Sequence, residues 1–252
     1  MSHDVPMQRK QMSRDLPTPE RALAIAAHPD DVEFGCGATL AKWAAAGCEI
    51  THVICTDGSK GTWDTAADTA ALAATRQIEQ RAASVALGGT GQVVFLGRSD
   101  GELDADREAR GEVALAIRTH RPDVVLGHDP WKRYRLHPDH RAAGWLCIDG
   151  VVAARDPHFF PDHPVAHHRP RSILLFEADE SNHVEIVDAS HLTARCAALE
   201  AHRSQMETTH FYRLGAGDPL AGFRLREQEK LAGMGALAGA PLGEAFHLIS
   251  DL

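Results

Sequence analysis

The stretch RALAIAAHPDDVEFGCG (residues 21–37) runs from a short apolar segment directly into a histidine, a proline and two aspartates. Its first seven residues have the length and continuous apolar character of a strand covered on both faces. The same signal recurs in EITHVICT (49–56), QVVFLG (92–97), PDVVLGH (122–128) and RSILLFEA (171–178). Between these lie segments that read as helices: GATLAKWAAAG (37–47), TAALAATRQIEQRAASVALGG (69–89), DREARGEVALAIRTH (106–120) and HPDHRAAGWLCIDGVVAA (137–154). Strands alternating with helices predict an α/β fold, a mostly parallel sheet between two helical layers. HVEIVDAS (183–190) reads as a further strand leading into a helix, HLTARCAALEAHRSQM (191–206). The pattern fades after Gly215. Residues 1–20 read as a polar arm and 21–252 as a single domain.

The bulk numbers narrow the function. The chain has 252 residues, 44% hydrophobic, with 26 Lys+Arg against 35 Asp+Glu and a net charge of −9. That balance argues against a nucleic-acid partner. Five cysteines are scattered without a CxxC pair, which fits a reducing compartment. The N-terminal residues lack the apolar core of a signal peptide, and no apolar run is long enough to span a bilayer. A cytoplasmic chain without a membrane partner is expected, and homo-oligomers are left open.

In a parallel sheet, ligands bind beyond the carboxyl ends of the strands. The loops after the first four strands are HPDDVEFGCG, DGSKGTWD, RSDGELD and DPWKRYRLHPDH, all rich in charged residues, histidine or glycine. The opposite connections are short and plain. Two of the charged loops carry the triplet His-Pro-Asp. In the first, Asp31 follows His28 by three residues; in the second, His140 follows His137 at the same spacing, and such pairs are neighbours on a helical turn. His28, Asp31 and His140 would give a catalytic zinc two nitrogens and a carboxylate, with a position open for water. Asp30, beside a ligand without needing to be one, is the candidate general base for the zinc-bound water. His137 is the candidate partner of the developing oxyanion. Gly35 and Gly37 would let the backbone approach the facing strand. For either triplet alone, an aspartate capping a helix serves equally well; two triplets on one sheet edge favour the metal. Ferrous iron suits the same ligands, and two histidines with a carboxylate also describe an iron oxygenase site.

The segments AHPDDVEFGCGATLAK and LHPDHRAAG resemble the paired signatures of the PIG-L/LmbE-like family of zinc-dependent N-acetylglucosaminyl deacetylases. The likeness extends through TDGSKGT, TRQIEQRAASVALG, FLGRSDGELD and ALEAHRSQM, over roughly residues 21–206. Where the family often has Glu directly after the aspartates, Val32 intervenes before Glu33. Its double glycine is Gly37-Ala38 here. The resemblance implies a Rossmann-like fold, zinc on His28, Asp31 and His140, Asp30 as base and acid, His137 near the oxyanion, and a small amino-sugar substrate. It also places Arg76 near substrate hydroxyls.

Asp100 reads as a sugar-hydroxyl acceptor or as a plain Asp-Gly turn. Trp131 and Tyr134, in WKRYR, would stack on a sugar or aglycone, or pack under their loop. His202 would approach from the late helix, although a lone helical histidine is more often structural. The Pro- and His-rich segment 156–170 reads as an irregular loop which, with the C-terminal region, shapes the pocket mouth. Besides the iron oxygenase, two rival functions stand: an amidase acting on a conjugate without an N-acetyl sugar, and a sugar- or metal-binding protein without catalysis. A binder has no need of Asp30 and His137.

Overall fold

The computed structural model describes residues 12–90, 92–211 and 217–252. Its strands are β1 (Ser13–Arg14), β2 (Arg21–Ala26), β3 (Glu49–Thr56), β4 (Val93–Arg98), β5 (Val124–His128), β6 (Ser172–Phe176), β7 (His183–Ile186) and β8 (Gly243–Ile249). They form one sheet in the order β1-β7-β8-β6-β5-β2-β3-β4. All pairings are parallel except those of β8, which runs antiparallel to both β6 and β7. The helices are α1 (Asp31–Ala45), α2 (Thr69–Ala86), α3 (Arg107–His120), α4 (Pro138–Arg155), α5 (Ala189–Ala201) and α6 (Pro219–Ala236). Among the described residues, no helix is long and apolar enough to cross a membrane.

The two-residue period of the strands divides the core. Leu23, Ile25 and Ala27 pack with Val113 and Ile117 of α3 and Leu146 and Val151 of α4. Ala22, Ala24 and Ala26 face the other way, against Leu40 and Trp43 of α1, Ala83 of α2 and Ala198 of α5. A strand covered on both faces needs no polar side, which is why its sequence reads as unbroken apolar residues. From β2 the chain builds outward through β3 and β4. It then returns to the other side of β2 to lay down β5 and β6. The direction of winding therefore reverses between β2 and β5, and a crevice opens at their carboxyl ends.

Three elements differ from the sequence reading. The first helix starts at Asp31, ahead of Gly35 and Gly37, and continues through a kink at Cys36 (φ −150°, ψ 19°). A Cβ on Gly35 would lie 2.6 Å from the Phe176 ring, so this glycine serves close approach to β6; at Gly37 the nearest atom would be an ordinary 3.4 Å away. The late helix stops at Ala201 and gives way to a 3-10 turn, Arg203–Gln205, and a π turn, Met206–His210. Ser13 and Arg14 pair with β7 at the sheet edge. Of the segment read as an arm, residues 1–11 lie outside the described residues.

The kink strands backbone groups that must find partners elsewhere. Glu244 of β8 accepts from the amides of Ala38 and Thr39 at 2.9 and 2.7 Å. Arg195 of α5 donates to the carbonyl of Phe34 at 2.9 Å, to Glu244 at 2.7 Å and to Glu227 of α6 at 2.7 Å. Arg195, Glu227 and Glu244 are fully buried. Burial pushes the Glu227 carboxyl up, but Arg195 and Lys230 outweigh it and hold it below the ordinary 4.5. Its stabilisation is therefore present above that value and is lost as the pH falls through the lower folded-state value. Arg195→Met removes the cation and leaves buried carboxylates uncompensated, so a loss of about 3–5 kcal/mol is expected at pH 7. Urea unfolding of both proteins at pH 7 and at a pH well below 4.5 checks this; the deficit should shrink at the lower pH, where the carboxyl is protonated, and a variant as stable as the wild type at pH 7 would contradict it.

Candidate active site

The chain leaves β2, passes His28, Pro29 and Asp30, and enters α1 with Asp31 as its first residue. It leaves β5 at His128 and enters α4 at Pro138, which places His140 in the first turn. Because β2 and β5 are neighbours, the two loops meet. His28 Nδ1 lies 3.1 Å from Asp31 Oδ2, and His140 Nε2 lies 3.3 Å from both His28 Nδ1 and Asp31 Oδ1. Atoms about 2.0–2.2 Å from a tetrahedral zinc stand roughly 3.3 Å from one another, so the triangle has the size that zinc requires. His128, buried at the end of β5, places its Nε2 3.4 Å from Asp31 Oδ2 and its Nδ1 3.5 Å from Glu177. Together these imidazoles hold the Asp31 carboxyl well below its usual range despite burial.

Asp139 settles which nitrogen of His28 faces the centre. Its carboxylate is fully buried and lies 3.0 Å from His28 Nε2, while accepting from the amides of Gly101 and Leu103 at 2.6 and 3.2 Å. With Nε2–H donated there, Nδ1 keeps its lone pair for a metal. Asp139 is thus the partner of an imidazole and not the cap of α4. The cap is His137, whose Nδ1 accepts from the Asp139 amide at 3.3 Å. In the neutral ring the proton then sits on Nε2, and burial with His28 and His140 nearby lowers the His137 pKa, which favours that neutral form.

A cavity of about 380 Å3 opens over the ligands. Asp30, His137, Arg76 and Asp100 line it with His28, Asp31 and His140. Asp30 is buried, and its Oδ2 has no hydrogen-bond partner among the described residues. Burial raises its carboxyl to about 6, with Arg76, 3.5 Å away, opposing the rise. Arg76 itself is buried and donates to the carbonyls of Gly58 and Pro29. Gly58 (φ 64°) leaves room for it, since a Cβ there would lie 2.7 Å from the guanidinium. Asp100 faces His28 Nε2 at 3.2 Å and accepts from the Lys60 amide at 2.9 Å.

Lys60, Gly61, Gln205 and Thr209 complete the lining; none was singled out in the sequence, although Lys60 and Gly61 lie in the loop DGSKGTWD and Gln205 in ALEAHRSQM. The signal for Gln205 was the polar run RSQMETTH, which breaks the pattern of the helix before it. Trp131 and Tyr134 do not line this cavity. They border a separate hollow of about 730 Å3 with Asp129, Arg133, Asp179 and Glu180. Trp131 packs edge-on against Trp145, and Tyr134 is 86% exposed. His202 is fully buried behind the cavity wall, its Nε2 3.4 Å from Glu33. Segment 156–170 does not shape the mouth: it wraps the far end of α3, where Arg118 donates to the carbonyls of Asp156, Phe159 and Phe160. Of the C-terminal region, the turns after α5 reach the cavity, whereas α6 and β8 build the fold.

Comparison with known proteins agrees with this geometry. A family profile described as PIG-L, GlcNAc-PI de-N-acetylase, matches residues 23–149. The diacetylchitobiose deacetylase of Thermococcus kodakarensis is 36% identical over 190 residues, covering 74% of this chain and 70% of that protein. A 1D-myo-inositol 2-acetamido-2-deoxy-alpha-D-glucopyranoside deacetylase of Mycobacterium avium is 36% identical over 48% of this chain and 47% of its own length. The structure of the N,N'-diacetylchitobiose deacetylase from Pyrococcus horikoshii superposes with a TM-score of 0.80 at 29% identity, covering 92% of this chain and 84% of that one.

The Asp139 carboxylate gives a direct test of the centre. Asp139→Asn should weaken zinc binding about 10–100-fold while the fold is retained. Competition with a zinc chelator and circular dichroism measure the two, and an unchanged zinc affinity would contradict the role given to Asp139.

Proposed function

This chain belongs to the PIG-L family of GlcNAc-PI de-N-acetylases, and from that premise we propose that it is a zinc-dependent hydrolase of the cytoplasm. Its substrate is the N-acetyl group of an N-acetylglucosamine-type sugar, free or conjugated. The observation that carries the proposal is the placement of the Asp30 carboxylate, without a hydrogen bond at Oδ2 among the described residues, beside the three converging ligand atoms in one cavity. Held by His28, Asp31 and His140, zinc would act as a Lewis acid toward the acetyl carbonyl and the attacking water; ferrous iron suits the same donors.

Asp30 accepts the proton of the attacking water. It then passes that proton to the amine nitrogen as the C–N bond breaks. A carboxyl raised toward neutrality by burial suits both roles, and a nearby cation opposes that rise. His137 donates from Nε2 to the carbonyl oxygen as negative charge builds there. Asp100, Lys60, Gln205 and Thr209 offer polar groups for sugar hydroxyls. Trp131 and Tyr134, outside the cavity, present aromatic faces in the second hollow that suit an aglycone or a second sugar.

Asp30→Asn should lower turnover about 10²–10⁴-fold and leave zinc content unchanged; wild-type turnover in this variant would overturn the mechanism. Acetate release from N,N'-diacetylchitobiose, from a GlcNAc-inositol and from simple N-acetyl amino sugars tests the substrate class. Release from at least one is expected, and release from none would favour the amidase or the non-catalytic binder.

A further inference from the structure

Asp30 holds a backbone conformation that a non-glycine residue seldom adopts, φ 95° and ψ −23°. Such a conformation is strained and persists only where the surroundings enforce it. Here the enforcement comes from one face of α2. Arg76 and Gln80 stand one turn apart and grip the two ends of the same peptide unit. Arg76 donates to the carbonyl of Pro29, and the Gln80 side-chain carbonyl accepts from the Asp30 amide at 2.9 Å. With both ends held, the plane of the Pro29–Asp30 peptide is fixed, and with it the direction in which the Asp30 side chain departs.

The Gln80 amide is itself oriented from behind. Its Nε2 donates to Glu33 Oε1 at 2.7 Å and lies 3.1 Å from His52 Nδ1, so its oxygen must face Asp30. Glu33 Oε2 lies 3.4 Å from His202 Nε2. Gln80, Glu33, His52 and His202 are all fully buried, and none lines the cavity. Buried ionic and polar groups of this kind contribute little net stability. What the chain of contacts does accomplish is to aim one amide oxygen at one amide hydrogen.

Resting on the reading of Asp30 as the base, we infer that Gln80 is a positioning residue for Asp30, with Glu33 and His202 as its support. It acts through the Pro29–Asp30 peptide and touches neither substrate nor metal. Gln80→Met keeps the length of the side chain and removes the acceptor. The expected result is a fall in kcat of about 10–100-fold, the scale of a misplacement of roughly 1 Å, with KM and zinc content near those of the wild type in protein assayed below its melting temperature, which falls because the Asp30 amide and Glu33 each lose a buried partner. Gln80→Asn, too short to reach the amide, should behave alike and serves if the methionine variant does not fold. Glu33→Gln keeps an acceptor for Gln80 and should restore most of the activity that Glu33→Leu loses. In an Asp30→Asn background, Gln80→Met should add little further loss.

Wild-type kcat in both Gln80 variants, with Asp30→Asn inactive, would overturn the positioning role alone. A loss of kcat that only follows loss of zinc or of folded protein would also overturn it. Full activity in Asp30→Asn would instead strike the underlying reading of the base.

Discussion

The hydrogen bond between His28 and Asp139 joins the two halves of the centre, and most of what the cavity can do depends on it. One partner comes from the loop after β2 and the other from the start of α4, 111 residues later. The bond forms because β2 and β5 pair in parallel, Ala22 beside Val124 through Ile25 beside Gly127. It turns His28 so that Nδ1 meets Asp31 and His140. Asp139 also binds the amides of Gly101 and Leu103, so the loop after β4 is drawn into the same arrangement. Three of the four carboxyl-end loops are thereby fixed by one carboxylate.

A second constraint lies deeper. The segment that carries the ligand Asp31 must turn from strand to helix within a few residues, and the helix then kinks at Cys36. Glu244 and Arg195 take up the backbone groups that the kink frees. Arg76 and Gln80 take up those of the turn before it. Charged and polar side chains are thus buried around α1 at a cost in desolvation that packing alone would avoid. The return is a short ligand-bearing segment held at both ends, the rigidity that a catalytic constellation needs.

Much of this was legible in the chain. The alternation of apolar runs gave the layers, and the His-Pro-Asp triplets pointed to the candidate ligands, because ligand spacing along one turn is a local property. Asp30, His137 and Asp100 lie on the charged loops of one sheet edge, and the family resemblance put Arg76 of α2 near them; the structure brings all four to one cavity. What stayed hidden was set by long-range contact. Helix α1 begins at Asp31 because Gly35 packs on Phe176 and the groups freed by the kink find distant partners, none of which local propensity registers. Gln80 carried no signal in the sequence, since its partners Asp30, Glu33 and His52 are far away along the chain. His202 belonged to a helical pattern until the switch to a 3-10 turn buried it. WKRYR sits next to a ligand in sequence, yet its aromatic residues border a different hollow.

Two other groupings of side chains could in principle attract a metal, and each meets an obstacle. His128, His140 and Glu177 lie close together, but the guanidinium of Arg135 rests on Glu177 and lies 3.2 Å from His140 Nδ1, so a cation there meets repulsion. His28, Asp100 and His137 would need His28 Nε2, which Asp139 already engages. Among the described residues, His28, Asp31 and His140 are the group whose ligand atoms converge without such an obstacle. Diffraction from zinc-soaked crystals, collected on either side of the zinc absorption edge, tests this most directly. One strong anomalous peak is expected about 2.0–2.2 Å from His28 Nδ1, His140 Nε2 and an Asp31 oxygen. A principal peak on Glu177 and His128, or on Asp100 and His137, would contradict the assignment of the two loops to a single catalytic centre.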